Sequence, residues 1–430
     1  MTPLFNNKSY RHLLMAQITS LLGTGISTIA LALLAYELAE DRAGSVLGTA
    51  LALKMVAYVI LAPVIGAWAH KLPRKQWLFG LDMIRAGMIL CLPLVTEIWQ
   101  IYLLILVINA CSAGFTPVFQ SVLPQVLPDK DQYMKALSLS RLAYDLEQLI
   151  SPVLAGLLLS VMTFQGLFVA DALTFVVSGL FIFTCSIPTS LTPKREKGIM
   201  NNLKFGISSY LKTPRLRALW GAYFAVAGAS AMLIVNTVIY VREVLHSQEQ
   251  YVAMAMSVAG FGSMVVALGL PRWLKTHTIR PVILAGSVFI TTALGMGLFL
   301  PPWSGFLLVC VMSGMGISMV QTPAGALITR SCHGSDAPAF FSANFSLSHL
   351  CWFFTYLLAG WSSSQLGLAY SYAIMMFISL AGALYTLTVF PKHDPDELLH
   401  WHPAAEAGQE PIQHSHRFVI DQEHRHWPSV

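Results

Sequence analysis

Three ionisable residues lie close together in an otherwise apolar stretch of the sequence: Arg141, Asp145 and Glu147. Arg141 and Asp145 are four residues apart, so a helix places them on one face, where they can form an ion pair. Glu147 is turned about 200° from Asp145 and needs another neighbour. An ionisable group among apolar residues is costly and often marks a proton or ion pathway. We therefore expect Asp145 or Glu147 to bind a proton reversibly, with a purely structural ion pair as the alternative for Asp145.

Four polar residues in other apolar stretches extend this candidate set. Asp171 can cap its helix or face a cavity, and Lys54 can reach an acid of another helix or extend to the membrane surface. Asn236 and His349 are candidates in the second half of the chain. Histidine can bind a metal, although a single helical His more often packs as a hydrogen-bonding group. The predicted proton-coupling or substrate-cavity residues are Arg141, Asp145, Glu147, Asp171, Asn236 and His349.

These residues belong to a chain that is far more apolar than a soluble protein. The mean hydropathy of the 430 residues is +0.63 and 11% of them are charged, whereas roughly a quarter are charged in soluble domains. A bilayer core needs about 20 apolar residues per helix, and such stretches recur along the chain, so the predicted fold class is an all-α membrane protein of about twelve transmembrane helices. The predicted spans cover roughly 13–37, 46–69, 77–95, 99–121, 138–162, 165–187, 217–241, 251–272, 281–300, 303–326, 338–362 and 367–390.

Lys and Arg are distributed unequally between the two ends of the predicted helices. The connections at one end of the helices contain Arg42 and Arg242. The connections at the opposite end carry the other Lys and Arg residues of the loops, and we call this opposite end the basic end. Because basic loops are retained on the cytoplasmic side, we expect both termini in the cytoplasm and the chain in a bacterial inner (plasma) membrane. The net charge of +5 then reflects the basic loops on the cytoplasmic side of the membrane. The predicted partner is therefore the lipid bilayer, and no nucleic acid is expected. The residues that mark the basic end are Lys8, Arg11, Lys71, Arg74, Lys75, Lys130, Lys135, Lys194, Arg195, Lys197, Lys212, Arg215, Arg217, Arg272, Lys275, Arg280 and Arg330.

The longest internal connection divides the predicted membrane part into two groups of six helices. It covers residues 188–216 and links a predicted N-terminal bundle, 1–187, to a predicted C-terminal bundle, 217–391, which a tail, 392–430, follows. Apolar residues recur in the connection at helical spacing beside lysines, which predicts a helix in the lipid headgroup region, with a plain polar linker as the alternative. These apolar residues are Leu203, Ile207, Tyr210 and Leu211.

A short repeat supports the division into two bundles. Ser138-Leu139-Ser140-Arg141-Leu142 opens the fifth predicted helix, and Ser346-Leu347-Ser348-His349-Leu350 lies in the eleventh, its counterpart in a duplicated six-helix unit. Internal repeats are typical of secondary transporters, which bind their solutes between the repeated halves near the middle of the bilayer.

The connection between the second and third predicted helices contains a motif. The chain reads Gly66-Ala67-Trp68-Ala69-His70-Lys71-Leu72-Pro73-Arg74-Lys75. This resembles the Gly-x-x-x-Asp-Arg-x-Gly-Arg-Lys loop of the major facilitator superfamily, in which an acid–base cluster latches the two halves together. His70 and Pro73 stand where the family has Asp and Gly, so the resemblance implies a gating loop without the usual Asp. The implied gating residues are Gly66, His70, Lys71, Arg74 and Lys75, together with the charge pair Asp82 and Arg85 that ties the loop.

Residues 109–136 are similar to the drug-antiporter branch of this superfamily, which includes siderophore and macrolide exporters. The similarity lies in Asn109, Gly114, Pro117, Leu123-Pro124, Pro128 and Ala136, and in Asp82 and Arg85 of Leu81-Asp82-Met83-Ile84-Arg85. The resemblance implies a secondary transporter that works by alternating access. It would export a small solute, namely a drug, a siderophore or a divalent metal such as nickel, in exchange for protons.

The tail after Phe390 is rich in histidine. Three His-x-His pairs alternate there with Asp and Glu, and imidazole and carboxylate groups suit Ni²⁺, Zn²⁺, Co²⁺ and Cu²⁺. The tail resembles those of nickel-resistance members of the superfamily. The alternative is a solvated tail, or one that docks on the cytoplasmic face through Trp401, Phe418 and Trp427. The predicted metal ligands are His400, His402, His414, His416, His424 and His426.

Other function classes fit the sequence less well. A membrane sensor that binds metal through the tail is the main alternative, and it predicts a signalling domain or partner surface that the sequence does not reveal. The duplicated halves argue against a channel, and no nucleophile–base pair or compact metal cluster within the predicted helices indicates an enzyme. Ser313-Gly314-Met315-Gly316 is not followed by the Gly-Lys-Ser/Thr of a phosphate loop, so an ATP-driven pump is disfavoured and no cofactor is expected. The six cysteines form no Cys-x-x-Cys pair, and we expect them to pack as small core residues.

Overall fold

The computed structural model describes residues 3–39, 43–68, 73–187, 199–247, 250–394, 397–402, 412–420, 424 and 427. Helices make up nearly all of this part. The first group comprises α1 (Lys8–Ala39), α2 (Ala43–Val56), α3 (Ala62–Trp68), α4 (Arg74–Cys91), α5 (Ile98–Val126), α6 (Lys130–Leu159) and α7 (Phe164–Thr184). α8 (Ile199–Lys212) follows. The second group comprises α9 (Pro214–Ala231), α10 (Thr237–Ile239), α11 (Gln250–Trp273), α12 (Ile279–Gly297), α13 (Trp303–Gln321), α14 (Ala324–Arg330), α15 (Ala337–Gln365) and α16 (Leu368–Val389).

Nine helices of the described part are long and apolar enough to cross a membrane. They are α1, α4, α5, α7, the continuous helix Pro214–Val244 that contains α9 and α10, α11, α12, the helix Trp303–Arg330 that contains α13 and α14, and α16. The all-α membrane fold class is thereby confirmed, whereas the count of twelve spans stays a prediction. The other predicted spans are α6, α15 and the α2–α3 helix, of which the apolar stretch Ala52–Ile65 is shorter than a span.

The helices of the second and seventh predicted spans contain π-helical turns. One turn, Ala57–Leu61, joins α2 to α3, and two others, Met232–Asn236 and Tyr240–Val244, flank α10. A π-turn interrupts the regular hydrogen-bond ladder and often lies at a functional site. The carbonyl of Val59 in the first turn accepts a hydrogen bond from the Ser346 hydroxyl of α15 at 2.6 Å, so this turn joins the two helix groups.

The three largest clusters of buried apolar side chains are separate, whereas a small cluster of Ala62, Ala113 and Phe345 joins the two groups. The largest cluster contains buried residues from Tyr210 to Phe390. Two others are formed by buried residues between Leu4 and Cys185. Small residues let helices approach closely within the second group: a Cβ added at Gly314 would lie 1.8 Å from the Ala259 carbonyl oxygen. All six cysteines are free and all but Cys91 are buried.

The connection between the groups does contain a helix, α8, but its apolar side contacts protein. Tyr210 is fully buried, and its hydroxyl donates to Asn344 Oδ1 of α15 at 2.9 Å. Ile207 and Leu211 pack against the largest cluster, and Gly206 lies against the backbone of Ala339. Because of these contacts, burial raises the pKa of Tyr210 well above its ordinary value. Residues 188–198 and the side chain of Leu203 lie outside the described residues.

The tail adds a small antiparallel hairpin to the helical fold, formed by β1 (Glu397–His402) and β2 (Ile412–Arg417). The tail is also tied to the second group. Asp394 accepts from Arg330 Nη1 at 2.9 Å and forms an ion pair with Arg215 Nη1 at 3.4 Å. The Arg215 guanidinium in turn lies over the Trp427 ring, 5.0 Å from its centroid. The end of the tail therefore packs at the basic end of α9 and α14.

Candidate functional site

The ion pair allowed by the spacing in α6 is formed. Arg141 Nη2 donates to Asp145 Oδ1 at 2.6 Å, and Asp145 is 4% exposed. Arg141 Nε also donates to the Ser263 hydroxyl of α11 at 3.0 Å, and Nη1 donates to Gln321 Oε1 at the end of α13. A guanidinium group can hold three partners at once because its five N–H donors point in fixed directions in one plane. Arg141 therefore joins the first helix group to the second, and Asp145 fixes its position.

Glu147 lies on a different side of α6, against α1. A Cβ added at Gly25 would be 2.8 Å from Glu147 Oε1 and 2.1 Å from the Ser151 hydroxyl oxygen, so the absence of a side chain at Gly25 makes room for the carboxyl. Lys54 of α2 is close enough to interact electrostatically with Glu147, although no ion pair within 4 Å joins them among the described residues. The Lys54 ammonium lies 5.7 Å from the centroid of the Tyr58 ring.

A second contact between the two groups is aromatic and is made by α15. His349 meets Tyr58 of the π-turn edge-on, with ring centroids 4.8 Å apart. The rings of Phe345 and Trp352 lie 4.1 and 5.0 Å from His349. His349 Nδ1 is 2.7 Å from the Phe345 carbonyl oxygen one turn earlier. His349 is therefore a packed hydrogen-bonding group, and no metal ligand set forms around it among the described side chains.

The sequence repeat aligns Arg141 with His349, and each of the two residues contacts the opposite helix group. The partners Ser263 and Tyr58 were not among the residues predicted from sequence. Neither has a distinctive spacing, and a hydroxyl group in an apolar helix usually bonds its own backbone. The repeat itself is the signal that points to the contact position, because corresponding helices of duplicated bundles face the shared central axis.

The two groups also meet at the basic end. Lys275 Nζ pairs with Asp131 Oδ2 at 3.0 Å, and Gln125 Nε2 donates to the Gly334 carbonyl at 3.3 Å. Next to them, the hydroxyls of Tyr133 and Thr329 are 3.2 Å apart. Each of these contacts joins a residue before 134 to a residue after 274, so the basic end is closed in this conformation.

The predicted gating-loop residues are not brought together in the described part of the chain. Gly66 lies at the end of α3, and His70 and Lys71 lie outside the described residues. Arg74 Nη1 donates to Gln125 Oε1 at 2.6 Å, and Lys75 lies over the Phe183 ring. Arg74 therefore reaches α5, next to the basic-end contacts.

Asp82 and Arg85 form an ion pair inside the first group. The described contacts of these two residues do not reach the predicted gating loop. Asp82 accepts from Arg85 and from the Ser178 hydroxyl of α7, the latter at 2.8 Å. The Arg85 guanidinium lies between the rings of Phe115 and Phe175, 4.4 and 4.3 Å from their centroids. Cation–π contacts and a buried partner compensate for removing the guanidinium from water. The sequence suggested that this pair ties the gating loop. In the structure, the described contacts of Asp82 and Arg85 instead join α4, α5 and α7.

The remaining candidates lie apart from the Arg141 cluster. Asn236 is 1% exposed in a π-turn, and its Nδ2 lies 3.2 Å from the Ser371 hydroxyl of α16. It therefore packs inside the second group. Asp171 of α7 lies against α1 at Gly23.

The tail histidines fall into two places. His400, His402, His414 and His416 belong to the strands of the hairpin, whereas His424 is buried and packs edge-on against Phe418, with centroids 4.6 Å apart. His426 lies outside the described residues. Among the side chains that the structure describes, no three His, Cys, Asp or Glu are grouped so as to hold a metal ion.

Comparisons with known proteins relate this helical arrangement to one family. Residues 13–356 match the model of the Major Facilitator Superfamily. The uncharacterized MFS-type transporter YfiS of Bacillus subtilis (strain 168) is 26% identical over 325 residues, which cover 74% of this chain and 73% of YfiS. Macrolide efflux protein A of Streptococcus pyogenes is 25% identical over 177 residues, which cover 40% of this chain and 43% of that protein.

A solved structure shares the fold. The crystal structure of the human organic anion transporter MFSD10 (TETRAN) superposes with a TM-score of 0.77 at 13% identity, and the match covers 90% of this chain and 100% of that chain.

Proposed function

The chain belongs to the Major Facilitator Superfamily, and from this premise we propose that it is a proton-coupled exporter of a small solute that works by alternating access. It is a multi-pass membrane transporter and not an enzyme. The proposal adds the coupling ion, the direction and the residues to this family assignment. It also places the protein in a bacterial inner (plasma) membrane with both termini in the cytoplasm, because the basic end carries nearly all loop Lys and Arg.

The observation that carries the proposal is the position of Arg141 between the two helix groups. Ionised Asp145 holds the guanidinium, and the guanidinium holds Ser263 and Gln321 of the second group. A proton that binds Asp145 from the outside removes the charge that positions Arg141. The bridge between the groups then weakens, and a conformation open at the basic end becomes more populated.

Glu147 is the second acid in this scheme and the better placed to meet the solute. It is half-buried, and Oε1 lies beside the backbone of α1. A cationic solute and a proton would compete for its carboxylate, which couples solute release to proton binding. Tyr144 of α6, Tyr223 of α9 and Trp352 of α15 are the aromatic residues that we propose for an organic solute. Drugs, siderophores and divalent metals such as nickel stay the proposed solute classes.

Flux measurements in proteoliposomes test this proposal. The vesicles carry an imposed pH gradient, and the probes are ethidium, a macrolide, a ferric siderophore and Ni²⁺. We expect the wild type to move at least one probe against its gradient, and we expect Glu147→Gln and Asp145→Asn to lose the dependence on the pH gradient. Asp131→Asn, a change to an exposed acid on the same helix, is the matched control. Undiminished proton-driven flux in both Glu147→Gln and Asp145→Asn would falsify the coupling assignment.

We also propose that the tail binds a divalent metal, and the hairpin register supports this second function. The register pairs Leu398 with His416, His400 with His414, and His402 with Ile412. Directly paired residues share one face of an antiparallel pair, and so do alternate residues of a strand. His400, His402, His414 and His416 therefore occupy the same face of the hairpin. Histidines at positions that share one face of a hairpin suit Ni²⁺, Cu²⁺ and Zn²⁺ as ligands.

Calorimetric titration of the full-length protein with Ni²⁺ and with Zn²⁺ tests the tail site. Replacing all four face histidines with Ala is expected to abolish the binding heat of at least one of the two ions. The matched control is the double variant Gln413→Ala and Ser415→Ala, because these residues lie on the other face of the same strand. Equal binding by the four-histidine variant and the wild type contradicts this tail proposal and leaves the export proposal untouched.

A further inference from the structure

A carboxyl group outside the Arg141 cluster is buried and forms no ion pair with any residue that the structure describes. Asp171 is 1% exposed, its Oδ1 lies 3.2 Å from the Thr174 hydroxyl, and its Oδ2 has no partner at hydrogen-bond geometry. The Ser27 hydroxyl of α1 neighbours this carboxyl and also lacks a partner at that geometry. Asp171 therefore has hydroxyl groups around it, one of which can accept a hydrogen bond.

The helices packed against α7 bring no free cation to Asp171. The α1 sequence has no charged residue from Leu13 to Tyr36. α4 contributes Arg85, which is bonded to Asp82 and enclosed by two aromatic rings. From α6 the ionisable neighbour is Glu147, beyond α1 at Gly25. Among the described residues, no Lys, Arg or His forms an ion pair with Asp171.

The backbone of α1 covers the carboxyl at a glycine. A Cβ added at Gly23 would lie 1.9 Å from Thr174 Oγ1 and 2.2 Å from Asp171 Oδ1, which is closer than any side chain tolerates. Two residues on, Gly25 makes the same kind of contact with Ser151 and Glu147. α1 thus lies between the buried carboxyl group of Asp171 and the half-buried one of Glu147, and it meets each of them with a residue that has no side chain.

We propose that Asp171 is a second proton site, which holds a proton in this conformation and which α1 covers through Gly23 until it moves away from α7. The inference rests on the proposed proton coupling. A proton on Oδ2 can be donated to the Ser27 hydroxyl oxygen, which satisfies both unpartnered atoms. Burying the neutral acid is far cheaper than burying an unpaired carboxylate. When α1 separates from α7, water reaches the acid, and the proton leaves to water.

Infrared spectroscopy of the full-length protein in liposomes at neutral pH tests whether the acid is protonated. The difference between wild type and Asp171→Asn is expected to show the loss of a carboxylic acid C=O band. Glu147→Gln is expected to keep that band. Loss of a carboxylate band in Asp171→Asn overturns the proposal. Ser27→Ala gives an independent measurement if Asp171→Asn does not fold: the band should move to higher frequency because the acid loses its acceptor, and an unmoved band overturns the proposal.

Alanine at Gly23 tests the cover that α1 provides. Gly23→Ala should force α1 away from the carboxyl, so the band shifts and exchanges faster in D₂O. The matched control is Gly87→Ala in α4, where an added Cβ meets no atom within 4 Å. If Gly23→Ala and the wild type show the same band position and the same rate of exchange in D₂O, the inference that α1 covers Asp171 at Gly23 is overturned. These spectra need no solute, so the failure of export shows in the flux measurements alone and the failure of the Asp171 site shows in the spectra alone.

Discussion

The two helix groups contact each other through a charged cluster on one side of the molecule and through aromatic rings on the other. On the charged side, Arg141 of α6 reaches Ser263 and Gln321. On the aromatic side, His349 of α15 packs against Tyr58. The two positions correspond in the Ser-Leu-Ser-x-Leu repeat, so equivalent positions of the two groups make contacts of two different kinds.

This difference separates two tasks that an alternating-access protein must perform. A contact held by an ion pair changes strength when a proton binds the acid, whereas the packing of Tyr58, Phe345 and Trp352 around His349 contains no acid to protonate. We interpret the Arg141 side as the side that responds to protons and the His349 side as a pivot that holds the groups together. Three substitutions, taken from the largest expected effect to the smallest, can break or sharpen this assignment.

Removing Arg141 should have the largest effect. Arg141→Ala deletes every bond of the charged side and leaves Asp145 buried without its partner, so we expect proton-driven flux to fall to background and the free energy of unfolding to drop by about 3 kcal/mol. Flux in proteoliposomes and unfolding in detergent measure these two effects. Arg141→Lys, which keeps the charge but loses the planar array of donors, should recover only part of each. Wild-type flux in Arg141→Ala contradicts the comparison.

Changing the corresponding residue of the aromatic side should cost stability and spare coupling. His349→Leu loses three ring contacts, and we expect the free energy of unfolding to fall by about 1–2 kcal/mol. The ratio of protons to solute moved should stay at the wild-type value. Trp361→Leu is the control, because Trp361 is on the same helix and its ring is 55% exposed. A changed ratio with unchanged stability places His349 in the coupling mechanism and removes the distinction between the two sides.

The exposed ion pair at the basic end should matter least. Lys275 and Asp131 join the two groups, but their side chains are 51% and 54% exposed. Solvent screens such a pair, so Asp131→Asn should change the free energy of unfolding by less than about 1 kcal/mol and leave flux unchanged. Unfolding at low and high salt checks this. A large loss of flux in Asp131→Asn means that the basic-end contacts, rather than Arg141, control the conformation.

The sequence predicted the helices better than the contacts between them. Long apolar runs and basic loops are local properties, and they identified the fold class and the helical connection near residue 200. The helices α6 and α15 and the α2–α3 helix are not among the nine found by length and hydropathy. α6 and α15 carry Arg141 and His349, so in these two helices the residues that lower the hydropathy are also the candidates for function, whereas the apolar stretch Ala52–Ile65 falls short in length.

Contacts that depend on the packing of distant segments could not be predicted. Arg141 and Asp145 are four residues apart, and their pair follows from helix geometry. Ser263 and Arg141 are separated by 122 residues, and no local pattern links them. The apolar side of α8 was assigned to lipid for the same reason. The sequence does not show that α15 packs against Tyr210.

The contact of Asp394 with Arg215 has a consequence for how the protein is made. The two residues are separated by 179 positions, so Arg215 leaves the ribosome long before its carboxylate partner is synthesised. The basic end of the second group is therefore completed only after translation of α16 and the first residues of the tail. Until then, Arg215, which is 2% exposed in the finished protein, lacks this carboxylate. The ion pair of Arg215 with Asp394 therefore forms after the helices of the second group have been synthesised.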